Sequence, residues 1–229
     1  MLVVVQNDPE VPLAAYEGEL RDEGEVFSIV RPFAGEPLPA VAGAGAAIVL
    51  GGAMGVHDTA RHPYLAEVKE FIGGCVRREI PFLGICLGGQ LLADVLGAQV
   101  LSGQRGEKGC LPVTLTAAGE ADPLFAGFDG AFTTFQWHDD TFDIPPGGVL
   151  LASSPACPHQ AFRVGLRTYG TQFHPEVDPA TVEAWVRASD LPGAEGEEIL
   201  AGFTRNHDRH LLASRRILAN FLAMISNRR

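Results

Sequence analysis

The sequence predicts an α/β protein built on a mostly parallel sheet, and three observations carry that expectation. Short apolar runs recur at residues 2–5, 46–50 and 82–85, each of a length suited to a strand buried on both faces. Segments with helical apolar spacing separate or follow them, at 14–21, at 65–76 and from Leu87 up to Gly97. Each strand pattern ends in turn-prone residues: Gln6-Asn7-Asp8-Pro9, Gly51-Gly52-Ala53-Met54-Gly55, and Cys86 between Gly84 and Gly88. Strands alternating with helices indicate βαβ units, whose functional groups gather at the carboxyl ends of the strands.

Taken in order, the run at 2–5 reads as a central strand opening onto a loop, and 26–30 as a second strand after the first helix. The third, 46–50, leads into the glycine-rich loop. The helix at 65–76 starts near Pro63 and is expected to weaken at Gly73-Gly74. From Val100 onward, short strands are expected at 111–116, 131–137, 149–153, 160–164 and 169–173, some extending the sheet in antiparallel fashion. Phe132, Phe135 and Trp137 read as core there, because an acidic chain offers no basic groove for base stacking. After Val177 the pattern turns helical, at 180–188 and 197–225, with a break near Pro192-Gly193. One domain over 1–180 is expected, with 181–229 as a C-terminal helical extension packed on it.

A chain of 229 residues can bury a full core, and no linker suggests a division into two domains. The net charge of -11 disfavours nucleic acid and anionic membrane as partners, leaving small molecules or other proteins. Cys75, Cys86, Cys110 and Cys157 are widely spaced without a C-x-x-C pair. With no signal-like or membrane-length apolar run, the expectation is a cytoplasmic protein.

The chemistry centres on Cys86. Gly84 and Gly88 stand two residues to either side, the spacing of a G-x-S-x-G nucleophile elbow with sulfur in place of hydroxyl. Such a turn leaves no room for Cβ atoms at the flanking positions and aims a helix N-terminus at the side chain. The alternative is a buried structural cysteine. A thiol with an unperturbed pKa of about 8.5 is only a few per cent thiolate at neutral pH, so an elbow cysteine needs a base. Thr171-Gln172-Phe173-His174-Pro175-Glu176 offers one, because alternate side chains of an extended segment share a face. His174 can accept the thiol proton, and Glu176 can hold the ring and stabilise the imidazolium. Backbone N-H groups of the loop after Leu50, with that of Leu87, could then stabilise an oxyanion.

At this point the chain resembles a class I glutamine amidotransferase domain of the stand-alone, GMP-synthase-like kind. The matching segments are L-G-G-A-M-G from Leu50, G-I-C-L-G-G-Q from Gly84, F-Q-W-H from Phe135 and F-H-P-E-V from Phe173, spread over the first 180 residues. The resemblance implies a three-layer α/β/α, flavodoxin-like fold and hydrolysis of a glutamine side-chain amide through a γ-glutamyl thioester on Cys86. It also implies oxyanion N-H groups from Gly52 and Leu87, a substrate-seating role for Gln90, and proximity of Gln136, Trp137 and His138 to the α-amino and carboxylate end of the substrate. Many relatives have proline where this chain has Ala53.

Other clusters read as ordinary surface. His207 and His210 could share a helix face and bind metal but lack a third ligand nearby, so a solvated face is expected. Asp139, Asp140 and Asp143 read as an acidic loop, and His57, Asp58 and His62 are expected near the mouth of the site with no assigned role. The expected enzyme needs neither metal nor organic cofactor. It either feeds ammonia to a separate synthetase or acts alone as a γ-glutamyl peptidase or hydrolase. A catalytically idle binding or regulatory domain is the remaining reading.

Overall fold

A computed structural model describes residues 1–226. The first hundred residues form β1 (Leu2–Val5), α1 (Ala15–Asp22), β2 (Phe27–Val30), β3 (Ala46–Val49), α2 (Tyr64–Arg77), β4 (Phe82–Ile85) and α3 (Leu87–Val95). The rest follows as β5 (Val100–Leu101), β6 (Glu107–Leu115), α4 (Ala117–Glu120), β7 (Ala131–His138), β8 (Thr141–Phe142), β9 (Val149–Ser153), β10 (Ala161–Val164), β11 (Thr168–Thr171), α5 (Pro179–Ala188) and α6 (Gly193–Ser226).

The main sheet runs β2-β1-β3-β4-β11-β10-β9-β6-β7. Its first five strands are parallel, and the remaining four extend it in antiparallel fashion. Period-2 alternation explains why the parallel strands are apolar throughout. Leu2, Val4, Ile48 and Ile85 face a core with Tyr16 and Leu20 of α1 and residues of α5 and α6. Val3, Val5, Val49 and Phe82 face the opposite core, with α2 and α3. The result is the three-layer α/β/α arrangement. The antiparallel half curls, so that Phe135 O on the edge strand β7 accepts a hydrogen bond from His174 N, just beyond β11, at 2.8 Å.

Several boundaries depart from expectation for identifiable reasons. Helix α2 does not weaken at Gly73-Gly74 but runs to Arg77. A Cβ on Gly74 would meet Val41 Cγ2 at 2.8 Å, so the small residue serves close packing there. Strand β6 begins at Glu107, well before its expected start, because its polar opening residues pair with β7. The last strand ends at Thr171, which leaves His174 on the segment after it. Helix α6 starts at Gly193, and it buries Phe203, Ile217, Leu218 and Phe221 in the same core as β6 and β7. His210 does not lie on a solvated face: it is buried, and its Nε2 donates to Val177 O at 3.1 Å. His207 packs against Phe203, so neither histidine presents a free metal-binding face.

Candidate active site

Cys86 joins β4 to α3 with φ 49° and ψ −108°, a left-handed conformation that a non-glycine residue adopts only under surrounding constraint. The constraint is visible on both sides. A Cβ on Gly84 would lie 2.5 Å from Gly88 O, and one on Gly88 would lie 2.0 Å from Val49 O. Cys86 N donates to Thr171 O at 2.8 Å, tying the turn to β11. The sulfur therefore stands at the start of α3, where the Leu87 N-H occupies the first helical position and has no acceptor within the helix.

His174 and Glu176 are buried, and His174 Nδ1 lies 2.7 Å from Glu176 Oε1. Burial alone pushes the imidazole down, but the charges of Glu176 and Cys86 and hydrogen bonds to both push it up further, to about 10. These surroundings favour a protonated ring. Gly51 makes room for it, since a Cβ there would meet His174 Cε1 at 2.9 Å. Trp185 packs edge-on against the imidazole at 4.9 Å between ring centroids, and its Nε1 donates to Glu10 O.

The glycine-rich loop after β3 is held by side chains from the end of β1. Asn7 Nδ2 donates to Leu50 O at 2.7 Å, and Ala53 N donates to Asp8 Oδ2 at 2.9 Å. A proline at position 53 would fix φ but could not make the second bond. Here the loop is stiffened by that hydrogen bond.

Two cavities meet at Cys86. One, of about 260 Å³, is lined by Gly52, His174, Trp137 and Trp185 with the acids Asp8 and Glu10. The other, of about 310 Å³, is lined by Gly52, Gln90, Trp137, His138, Asp139 and Asp140. Gln90, Trp137 and His138 thus reach the rim of the cysteine's surroundings. Gln136 does not: it is fully buried on the face of β7 that it shares with His138, one step further into the strand, where its Nε2 donates to Gln160 Oε1 at 3.0 Å.

A model of the class-I glutamine amidotransferase family matches residues 28–187. The chain belongs to that family. Among curated proteins, this amidotransferase chain is 34% identical over 192 residues to the glutamine amidotransferase-like protein YfeJ of Salmonella typhimurium, covering 81% of this chain and 80% of that one. It is 37% identical over 100 residues to a glutamine-hydrolyzing GMP synthase subunit of Thermococcus kodakarensis, covering 43% of this chain and 52% of that protein. The second match therefore spans about half of that relative's length. Among solved structures it is similar to a glutamine amidotransferase of Thermotoga maritima, with TM-score 0.86, 29% identity and 96% of each chain covered. It is also similar to a glutamine amido transferase of Methylobacillus flagellatus, with TM-score 0.87 and 26% identity, covering 97% of this chain and 94% of that one.

The structure places residues beside Cys86 that sequence reasoning missed. Gln172 Nε2 lies 3.6 Å from Cys86 Sγ, and Gln90 Nε2 lies 3.4 Å from Gln172 Oε1. The position of Gln172 two residues before His174 in an extended segment was an available signal. Trp185, 99 residues from Cys86 in the chain, carried no local signal at all.

Proposed function

We propose that this family member hydrolyses the side-chain amide of glutamine, with Cys86 as nucleophile, His174 as proton carrier and Glu176 as its orienter, and passes the ammonia to a separate synthetase. The observation that carries the reading is the 2.7 Å His174–Glu176 contact beside an elbow cysteine that borders two cavities. The name of the Thermococcus relative, one subunit of a GMP synthase, supports a synthetase partner.

In this reading the amide carbonyl oxygen sits toward the N-H groups of Gly52 and Leu87. The Cys86 thiolate attacks the carbonyl carbon, the π electrons move to oxygen, and the two N-H groups stabilise the oxyanion. His174 then gives its proton to the amide nitrogen, the C-N bond breaks, and ammonia leaves a γ-glutamyl thioester. Water, losing a proton to His174, attacks the thioester, and glutamate departs as the thiolate is restored. Glu176 holds the Nδ1-H throughout and stabilises the positive ring. Gln90, Trp137 and His138 would contact the far end of the substrate. Gln136 acts only behind that wall. No step calls for a metal or organic cofactor.

A second reading, a free-standing γ-glutamyl peptidase, is favoured by Trp137 and Trp185, which line the cavity beside Cys86 and offer apolar surface to a leaving group larger than ammonia. An idle domain has no use for a fully assembled cysteine, histidine and carboxylate. The glutaminase reading further treats 1–180 as the catalytic unit, 181–229 as an extension packed on it, and the protein as cytoplasmic. No helix among the described residues is long and apolar enough to cross a membrane.

Release of glutamate and ammonia from glutamine and from γ-glutamyl dipeptides, by the isolated chain and then with cell-extract fractions, tests the proposal. Slow glutamine hydrolysis that rises when a synthetase-containing fraction is added is the expected result. Fast dipeptide cleavage without stimulation by any fraction would replace it with the peptidase reading.

A further inference from the structure

At the back of the second cavity lies a buried cluster of Glu107, His138 and Cys157; the proposed mechanism places only the His138 ring at the cavity rim, and neither it nor the family match gives Glu107 or Cys157 a role. Glu107 opens β6 and His138 closes β7, and the two are direct antiparallel partners, so their side chains share a face. Cys157 comes from the turn between β9 and β10, which is folded tightly by Ser154 N donating to Cys157 O and Cys157 N donating to Ser154 Oγ. All three residues are buried, and one ligand atom from each lies within 4.8 Å of the other two.

The protonation of His138 is legible from its contacts. Nδ1 lies 2.9 Å from Asp140 O, and a carbonyl can only accept, so Nδ1 carries a proton. Nε2, in a side chain 1% exposed, has no hydrogen-bond partner and lies 3.6 Å from Glu107 Oε2. That separation is too long for a hydrogen bond, whose upper range is about 3.2 Å. It does match two ligand atoms at bonds of about 2.0 to 2.2 Å from one tetrahedral centre, which stand about 3.3 to 3.6 Å apart.

We propose that Glu107, His138 and Cys157 form a structural site for a divalent transition-metal cation of the zinc class. A carboxylate oxygen, an imidazole nitrogen and a thiolate make a mixed donor set suited to such an ion, and the two negative charges balance its two positive ones inside the protein. Burial pushes the Cys157 thiol up, so the free form holds its proton, and Cys157 Sγ lies 3.6 Å from His159 O as a donor to it. Binding forms the metal-sulfur bond as that proton leaves to water.

The surroundings already orient the donors as outer-shell partners do around a bound ion. Asp140 O fixes the His138 tautomer. Ser154 Oγ donates to Glu107 at 2.8 Å, joined there by Gln160 Nε2, and Thr141 Oγ1 lies 3.1 Å from Cys157 Sγ. An ion here would pin the end of β7 to the start of β6 and to the β9–β10 turn. It would thereby stiffen the wall that Trp137, His138 and Asp140 present to the cavity beside Cys86. The site is independent of which amide the enzyme cleaves.

The test uses the full chain carrying Cys86→Ala, so that the thiol beside His174 cannot bind metal, expressed with added zinc and purified without chelator. Elemental analysis is expected to find one zinc per chain, and X-ray absorption one sulfur with nitrogen and oxygen donors. After stripping, cobalt(II) titration is expected to give a near-ultraviolet sulfur-to-cobalt charge-transfer band. Cys157→Ser should abolish that band, and Glu107→Gln should weaken binding at least as much as the 10–100-fold typical of losing an outer-shell partner. Absence of zinc together with absence of the band overturns the proposal. A bound zinc without a sulfur neighbour, or a band that survives Cys157→Ser, overturns it equally. Should a variant fail to fold, the absorption spectrum of the zinc-loaded parent decides alone.

Discussion

Replacing Gly51 by alanine tests whether the imidazole stands where the proposed chemistry needs it. The added Cβ would lie 2.9 Å from His174 Cε1, 3.3 Å from Val11 Cγ1 and 3.6 Å from Cys86 Cβ, whereas ordinary contact begins at 3.4 Å. The ring must therefore withdraw by about 0.5 Å, against the Trp185 ring packed edge-on to it. A 1 Å misplacement of a reacting group costs about a hundredfold in rate, so half that displacement predicts roughly a tenfold fall in kcat. Gln90, Trp137 and His138, the proposed substrate contacts, are not among the atoms this Cβ meets, so KM should stay within about twofold. Crowding of this kind typically costs about 1–3 kcal/mol, and each kcal/mol lowers Tm by about 2–4 °C in a chain of this size. Steady-state glutaminase kinetics and a thermal melt on the same preparation measure both quantities. Unchanged kcat in a folded Gly51→Ala protein would refute the placement of His174. A rise in KM at constant kcat would move the steric effect into the substrate cavity instead.

Three further outcomes follow from the same geometry. Limiting iodoacetamide with mass mapping should label Cys86 first, because burial pushes Cys75 up to about 12 and Cys110 up to about 11 and also raises Cys157; preferential labelling of any of these three would count against the elbow. Cys86→Ala and His174→Ala should each abolish nearly all turnover, with the double variant little worse than either and Glu176→Gln retaining more; near-normal rates in His174→Ala would require another base. The raised His174 pKa means that the folded state holds a proton the unfolded chain has lost between its ordinary value of 6.5 and about 10. Its contribution is whole below 6.5 and lost as pH rises toward 10, so the Tm advantage of the parent over His174→Gln should shrink across that interval, and a constant difference would contradict the assignment.

The alternating half of the fold was legible because each buried parallel strand is a short apolar run and each helix keeps its spacing. That Cys86, His174 and Glu176 come together was legible for the same reason: each belongs to a short segment whose geometry is local. What the sequence hid depends on contacts between distant segments. The parity of β7 sets Trp137 against Gln136 and His138, yet Trp137 and His138 both line the cavity at Cys86, and nothing in F-Q-W-H says so, since the curl of the antiparallel half decides it. His210 looked solvated because only the packing of α6 on the sheet buries it. Glu107 and Cys157 had no motif between them, and their meeting with His138 comes from strand register and a turn. The Gly73-Gly74 pair misled because glycine lowers helix propensity but here also admits Val41.

The bond from the Ala53 amide to Asp8 Oδ2 makes two distant positions contingent on one another. A proline introduced at 53 would bring its own rigidity and at the same stroke strip a largely buried carboxylate of one of its donors, leaving Glu10 N as its remaining backbone donor among those described. Changing Asp8 first would free the loop before any ring stiffened it. Either single step breaks this hydrogen bond, so the two ways of holding the loop exclude one another at position 53. A chain that has settled on one is thereby kept from drifting to the other, and residues 8 and 53 should vary together among descendants of this sequence.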